Sequence, residues 1–271
     1  MKKISLAHKA TQNPPKPAKL IKVSLAHQKR KKKKGTKPVI YALSDTHLSF
    51  ASDKPMDVFG KNWENHAGKI KLNWENTVKN SDTVVIAGDV SWGMSLDEAK
   101  EDLLFINNLP GKKIFLKGNH DYWWCTAAKM SAFFSENHID TIDILYNNAI
   151  HAENKILCGT RGWINEFGVK AEDERLIKRE AIRLEMSLND GLKLKQRYPD
   201  DEIIVFMHYP PVFGSFINYD IVDVLYRFGV QRVFYGHLHN VKPEQLDNEY
   251  LGIKLTLTAG DFLDFKPLRI N

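Results

Sequence analysis

This 271-residue sequence has no long apolar segment and only two cysteines. Its first 37 residues contain no acidic residue. Its apolar runs stay well short of the roughly 18 residues that a membrane-spanning helix requires. We expect no signal peptide, because the first residues lack an apolar stretch followed by a small-residue cleavage site. The two cysteines, Cys125 and Cys158, do not indicate a disulfide framework, so a reducing cytoplasm is the expected location.

Acidic residues are absent from the first 37 residues, which hold 13 of the 39 lysines and arginines in the chain. The other residues combine 26 basic with 33 acidic side chains, a net charge of −7. We predict that residues 1–37 form a basic disordered tail, because their composition buries too little apolar surface to offset chain entropy. The tail could bind nucleic acid or an anionic membrane, serve as a nuclear address, or be a plain solvated extension.

Residues 38–271 alternate between short β-rich segments and helical patterns, which indicates a single α/β domain. Helices are predicted from a capping box at Ser95, from apolar spacing over 170–189, and over 62–80. In the last segment Trp63 and Trp74 would share one helix face as core anchors. Six apolar segments have strand length, namely residues 39–45, 83–89, 113–119, 155–160, 202–208 and 231–237.

Polar side chains of several kinds stand at or just after the ends of these predicted strands. In α/β proteins ligands collect at the carboxyl ends of the strands, so these side chains are candidates for one site. Residues i and i+2 of a strand point to the same side, which would aim paired residues at one place. The candidates are Asp45, His47, Asp89, Asn119, His120, Asp121, His208, His237 and His239.

Carboxylate oxygens and imidazole nitrogens without thiolates suit a divalent metal such as Mn, Fe or Zn. Four histidines, two aspartates and one asparagine exceed what a single ion needs. One carboxylate would then bridge two ions, and Asp89 is the natural candidate. Glycines precede Asp89, Asn119 and His237, where they would let the backbone turn sharply and approach closely.

The order of these elements, D-x-H, G-D, G-N-H-D, H and G-H-x-H, resembles the pattern of the calcineurin-like metallophosphoesterases. The stretches DVSWG, GNHDYWW and GTRGW make the chain similar to the bacterial predicted phosphohydrolases of that superfamily. The resemblance implies a metallophosphoesterase domain over residues 38–271. Its expected fold is an αββα sandwich, in which two mixed β-sheets lie face to face between helices.

The resemblance also implies a ligand set. Asp45, His47 and His239 would hold the first ion, and Asp89 would be shared by both. The second ion would be held by Asn119, His208 and His237. Mn²⁺ is the expected metal, with Fe and Zn as alternatives.

The implied reaction is hydrolysis of a phosphomonoester or phosphodiester through attack by a metal-bridging hydroxide. His120 would protonate the leaving group, while Asp121 would either orient His120 or brace the turn. Asn119 would also lie beside the substrate, and Arg161 could grip a substrate phosphate bidentately. Of the aromatic residues 122–124, at least two are expected to pack, while one ring could floor the pocket for a nucleobase.

The sequence limits the range of possible substrates only in part. A phosphoprotein is disfavoured, because the chain reads GDVSWGM where Ser/Thr protein phosphatases carry G-D-x-V-D-R-G. Small phosphodiesters or nucleotides are slightly favoured. A nuclease that uses the basic tail is the enzyme alternative, and a non-catalytic interaction scaffold on the same fold is the alternative from another class.

Overall fold

The computed structural model describes residues 37–164 and 171–270, so the predicted basic tail lies almost entirely outside the described residues. The described ranges contain five α-helices: α1 His66–Thr77, α2 Leu96–Asn107, α3 Ala127–Glu136, α4 Ala171–Arg197 and α5 Tyr219–Arg227. The strands are β1 Ile40–Leu43, β2 Thr83–Ala87, β3 Lys112–Leu116, β4 Ile142–Ile144, β5 Ile150–Ala152, β6 Lys155–Thr160, β7 Glu202–Met207, β8 Val212–Phe213, β9 Phe216–Ile217, β10 Arg232–Tyr235, β11 Glu249–Tyr250, β12 Ile253–Leu257 and β13 Leu268–Ile270.

Two large mixed sheets form the centre of the fold. The first has the strand order β13-β1-β2-β3-β4, in which only β13 runs antiparallel to its neighbour. The second has the order β11-β12-β10-β7-β6-β5, with parallel strands at its centre and an antiparallel strand at each edge. A small hairpin, β8-β9, stands apart. Each of the six predicted strand segments contains one of these strands.

Alternating apolar residues sort the two faces of each sheet, as the pleat of a strand requires. In β1, Ile40 and Ala42 join a buried cluster that contains Ile204 and Phe206 of β7, so this cluster lies between the sheets. The apolar residues on the opposite face of the first sheet pack against α1, α2 and α3. Those of the second sheet pack against α4 and α5. The predicted sandwich of two mixed sheets flanked by helices is therefore confirmed.

The helix expected over 62–80 is shorter than predicted. Trp63 ends a separate 3-10 helix, Lys61–Trp63, and α1 begins only at His66, because Asn65 adopts a left-handed backbone conformation with φ 50°. Trp63 and Trp74 therefore do not share a helix, although both are buried. Conversely, α4 runs to Arg197, beyond the predicted end at residue 189.

Within residues 37–164 and 171–270, none of the helices has the length and apolar character needed to cross a bilayer.

Candidate metal centre

The candidate ligands lie in turns that directly follow parallel strands of both sheets. Asp45 follows β1, Asp89 follows β2 and Asn119 follows β3, all in the first sheet. In the second sheet, His208 follows β7 and His237 follows β10. A backbone hydrogen bond joins the two edges, in which Ser44 N–H after β1 donates to Thr258 O after β12 at 2.8 Å. The site is thus formed where the carboxyl ends of both sheets meet.

The turns are held in an uncommon backbone conformation. Four of the candidate residues have left-handed φ values: 56° at Asp45, 44° at His47, 53° at Asp89 and 70° at His237. Non-glycine residues adopt this region rarely, and where they do the surrounding structure must hold them there. Asp45 and His47 therefore converge through a turn after β1, and not through the strand alternation that the sequence suggested.

A first group of ligand atoms comes from Asp45, His47 and His239, which lie within 4.8 Å of one another. The Nε2 atoms of His47 and His239 are 3.3 Å apart. His239 Nε2 is 3.5 Å from Asp45 Oδ1. These three side chains can therefore enclose one cation.

A second group combines Asp45, Asp89 and His208, again with ligand atoms within 4.8 Å. Asp89 Oδ2 lies 3.5 Å from His208 Nε2 and 3.7 Å from His47 Nε2, so it contacts an imidazole of each group. Asn119 Oδ1 is 2.6 Å from His208 Nε2 and 3.1 Å from His237 Nδ1. The structure brings all seven predicted ligands together, and Asp45 as well as Asp89 lies between the two groups.

Glycines make this convergence possible. A Cβ atom on Gly118 would lie 2.0 Å from Asp89 Oδ1, and one on Gly236 would lie 2.4 Å from Asp45 Oδ2. Neither carboxylate could keep its place beside a larger residue. The close backbone approach predicted before Asn119 and His237 is confirmed.

The hydrogen bonds of His208 leave its Nε2 atom able to bind a cation. His208 Nδ1 lies 3.0 Å from the Ala87 carbonyl oxygen, which can only accept, so Nδ1 carries the proton. Burial lowers the pKa of His208 to about 3, so its ring is neutral and Nε2 presents a lone pair. That lone pair faces Asn119 Oδ1, a second acceptor, at 2.6 Å. Two acceptors at this distance fit a shared divalent ion.

The two buried carboxylates of the site also favour a bound cation. Asp45 and Asp89 are 0% and 1% exposed. Burial, together with the charges of Asp45 and Asp121, raises the pKa of Asp89 well above its usual value. Burial would also raise the pKa of Asp45, but the hydrogen bond and charge of His239 hold it below the usual range. Paired buried carboxylates of this kind need positive charge, which divalent metals supply.

The calcineurin-like phosphoesterase family model matches residues 38–241, which contain every candidate ligand. The chain belongs to this family. Membership implies metal-dependent hydrolysis of phosphate esters, and the donor set of the candidate site agrees with it.

One similar protein and two similar solved structures have names that assign no activity, and the chain spans about half the length of that protein. The uncharacterized protein MJ1445 of Methanocaldococcus jannaschii is 32% identical over 87 residues, which are 30% of this chain and 46% of that protein. The crystal structure of AQ665 from Aquifex aeolicus, a protein of unknown function, has a TM-score of 0.51 at 16% identity, covering 86% of this chain and 95% of that one. TT1561 of Thermus thermophilus has a TM-score of 0.50 at 11% identity, covering 87% and 99%. These structures share the fold.

Asp261 belongs to the candidate site but was not predicted. Its Oδ1 lies 2.8 Å from His239 Nδ1, which orients the ring so that Nε2 points at Asp45. Carboxylates commonly hold metal-binding histidines in this way. The dipeptide Gly260–Asp261 follows β12 much as Gly88–Asp89 follows β2, a signal that could have revealed it.

His120 and Asp121 have different surroundings. The half-buried His120 ring lies 4.3 Å from the Trp92 ring, and its backbone N–H donates to Asp89 Oδ1 at 2.8 Å. Asp121 is fully buried and accepts hydrogen bonds from the backbone N–H groups of Gly118 at 2.7 Å and Asp89 at 2.9 Å. Of its two predicted roles, these contacts favour bracing the turn over orienting His120.

Aromatic rings enclose the candidate ligands more closely than the sequence suggested. Trp92 stacks on His47 at 5.1 Å, and the edge of Trp63 meets His47 at 5.6 Å and His239 at 5.4 Å. With Met56 and Phe59 they line a cavity of about 150 Å³ at the site. Trp63, predicted as a core anchor, is therefore also a wall of the pocket.

The motif YWW behaves as expected for packing. Trp123 and Trp124 are 2% and 9% exposed, and Trp123 Nε1 donates to Asp121 Oδ1 at 3.0 Å. Tyr122 is 52% exposed. The prediction that at least two of the three rings pack is confirmed.

Arg161 lies close to the cluster through its backbone. Its carbonyl oxygen accepts from His208 N–H at 3.1 Å and from Tyr209 N–H at 2.9 Å. Its side chain, however, lines a second and larger cavity beside Trp124 and Lys117, and is absent from the lining of the 150 Å³ pocket.

Proposed function

We propose that the protein is a dinuclear metal-dependent phosphoesterase that hydrolyses a small phosphomonoester or phosphodiester. The observation that carries this proposal is the merging of two metal-ligand groups around Asp45 and Asp89. Two divalent ions held there would supply an activated water at neutral pH and neutralise charge on the phosphoryl oxygens. In the proposed assignment, Asp45, His47 and His239 bind one ion, Asn119, His208 and His237 the other, and Asp89 both.

The side chains around the cluster would perform the remaining steps. His120 stands at the wall of the pocket beside Trp92, where it would donate a proton to the leaving oxygen as the P–O bond breaks. Asp121 would act as a positioning residue, because it ties the turn after β2 to the turn after β3. Trp63 and Trp92 would limit the access of bulk water to the reacting phosphate.

Mn²⁺ is the proposed metal, since mixed oxygen and imidazole ligands without thiolate suit it, with Fe and Zn as alternatives. Cys158 supports a thiol-free site: burial raises the pKa of its thiol to about 12, which keeps it protonated. The cytoplasmic location expected from the two cysteines stays a prediction.

The decisive experiment measures metal content and turnover on one preparation. Protein purified with Mn²⁺ should hold about two ions per chain and hydrolyse p-nitrophenyl phosphate or bis-p-nitrophenyl phosphate. Asp89→Asn should lose metal and activity together, because Oδ2 of Asp89 contacts an imidazole of each group. Asp53→Asn, at an exposed position, is the matched control and should change neither. Less than one ion per chain in the unsubstituted protein would instead support the interaction scaffold.

A further inference from the structure

A cavity with a volume of about 560 Å³ lies beside the candidate metal centre. It is enclosed by the turns after β3 and β6, the start of α3 and one face of α4. Among the described residues that line it, a single carboxylate, Glu180, accompanies five cationic side chains: Lys117, Lys129, Arg161, Arg179 and Arg183. A cavity with this charge ratio is suited to an anion.

The cavity and the metal centre share their framework. Lys117 immediately precedes Gly118 and Asn119, the turn that brings Asn119 to His208. Arg161 accepts the backbone hydrogen bond of His208. The cavity therefore adjoins two of the turns that carry candidate metal ligands.

Glu180 organises the arginines without cancelling their charge. The carboxylate is fully buried, and its Oε1 accepts from Arg183 Nη1 at 2.8 Å and from Arg179 Nη2 at 3.1 Å. Its Oε2 accepts from Thr160 Oγ1 at 2.7 Å. One negative charge thus holds two guanidinium groups in fixed places, and a net positive charge is left over.

Lys117 and Arg161 are two of the three cations that remain, and they add to the excess of positive charge. Burial lowers the pKa of Lys117, and the neighbouring Arg161 charge lowers it further, so these cations repel each other in a partly desolvated place. Arg161 Nε is buried and, among the described residues, has no hydrogen-bond partner. The guanidinium carbon lies 4.9 Å from the Trp163 ring centroid, which fixes its orientation. An incoming anion would satisfy both the charge and the donor.

We propose that this cavity binds a second phosphate group of the substrate, so that the enzyme prefers phosphate esters that carry another phosphate beside the scissile one. The volume fits a nucleotide-sized molecule, since small-molecule pockets span about 300–1,000 Å³. Trp124 and Tyr146 in the lining offer apolar surface to the organic part. This inference rests on the proposed phosphoesterase function and names its substrate class.

The test compares substrates that differ by one phosphate on the metal-loaded full-length protein. Adenosine 3′,5′-bisphosphate would be measured against adenosine 5′-monophosphate and adenosine 3′-monophosphate, with p-nitrophenyl phosphate as a reference that lacks a second phosphate. We expect kcat/KM at least about 10-fold higher for the bisphosphate, carried by a lower KM. Equal kcat/KM values for all the nucleotides would overturn the proposal.

Substitutions of cavity residues test whether the preference for a second phosphate arises in this cavity. Arg183→Met, and separately Lys129→Met at an exposed position that limits the risk of misfolding, should each reduce the preference about 10-fold to 100-fold. The same bisphosphate should raise the melting temperature of the unsubstituted protein more than that of either variant. Arg197→Met is the matched control, on the same helix but 14 residues away, roughly 21 Å along its axis, and should keep the preference. A preference unchanged in both pocket variants would reject this cavity as the site.

The two proposals fail in different ways. Hydrolysis of p-nitrophenyl phosphate that is lost in Asp89→Asn, without any preference for a second phosphate, removes the cavity proposal and leaves the phosphoesterase standing. Absence of hydrolysis with every substrate and metal removes both.

Discussion

At the level of single residues, His120 is where proton donation can be separated from metal binding. His120→Ala should keep both metals, since the backbone N–H that donates to Asp89 is retained. The rate should fall about 10²-fold to 10⁴-fold, the usual contribution of a general acid. Metal analysis and kcat for a series of leaving groups check this. The loss should shrink for p-nitrophenolate, which departs without a proton, and an equal loss for every leaving group would remove His120 as the acid.

Asp261 gives a second residue-level prediction. Asp261→Asn replaces the carboxylate that accepts from His239 Nδ1. Metal affinity should fall about 10-fold to 100-fold, as is usual when the partner of a histidine ligand is lost. Competition titration with a chelator measures it. Asp264→Asn, an exposed neighbour that already has a left-handed φ of 49°, is the matched control, and an equal effect there would show that Asp261 has no special role.

Residue types and their order predicted the seven candidate ligands that the structure brings together, because these residues lie in the turns that follow recognisable strands. The same reasoning missed Asp261 and undervalued Trp63 and Trp92. Their places follow from how separate segments meet: Asp261 lies 22 residues beyond His239, and Trp63 reaches His47 from a 3-10 helix. Local sequence carries little information about such pairings.

At the level of secondary-structure elements, α2 tests the predicted capping box. Ser95 Oγ accepts from Glu98 N–H at 3.3 Å, as the capping box requires, but Glu98 Oε2 accepts at 2.9 Å from Met94 N–H, where the capping box would have Ser95 N–H. Ser95→Ala should lower the free energy of unfolding by about 1 kcal/mol, because a helix N–H loses its partner. Urea denaturation measures the change. Ser131→Ala is the matched control, because Ser131 is exposed to solvent and lies in the middle of α3. It should cause no comparable loss of stability.

Strands were predicted better than helix bounds. Apolar segments such as 83–89 mark strands, because a strand covered on both faces must be apolar throughout. The segment 62–80 was misjudged, because the left-handed conformation of Asn65 is not encoded by the apolar spacing on either side of it. α4 continues beyond residue 189 because the next proline is Pro199.

For the whole molecule, the basic tail separates a small-substrate enzyme from a nuclease. The family match begins at residue 38, and residues 38–271 carry a net charge of −7, which disfavours binding to a polyanion. Removal of residues 1–37 should leave turnover of p-nitrophenyl phosphate within roughly 2-fold, since every candidate ligand lies in residues 38–241 and surface changes outside a site usually cost little. Steady-state kinetics on both proteins checks this. If activity on DNA or RNA is present and collapses on removal of the tail, the nuclease would become the better hypothesis.

The position of the site at the junction of the two sheets has one more consequence. The first sheet contributes Asp45, Asp89 and Asn119, and the second contributes His208 and His237, so neither could hold the ions by itself. Ions bound there would link the two sheets, and their binding free energy would add to the free energy of unfolding of the whole domain. Removal of the ions by a chelator should therefore lower the stability of the protein as well as its activity. A change that separates the two sheets should abolish activity before unfolding is complete.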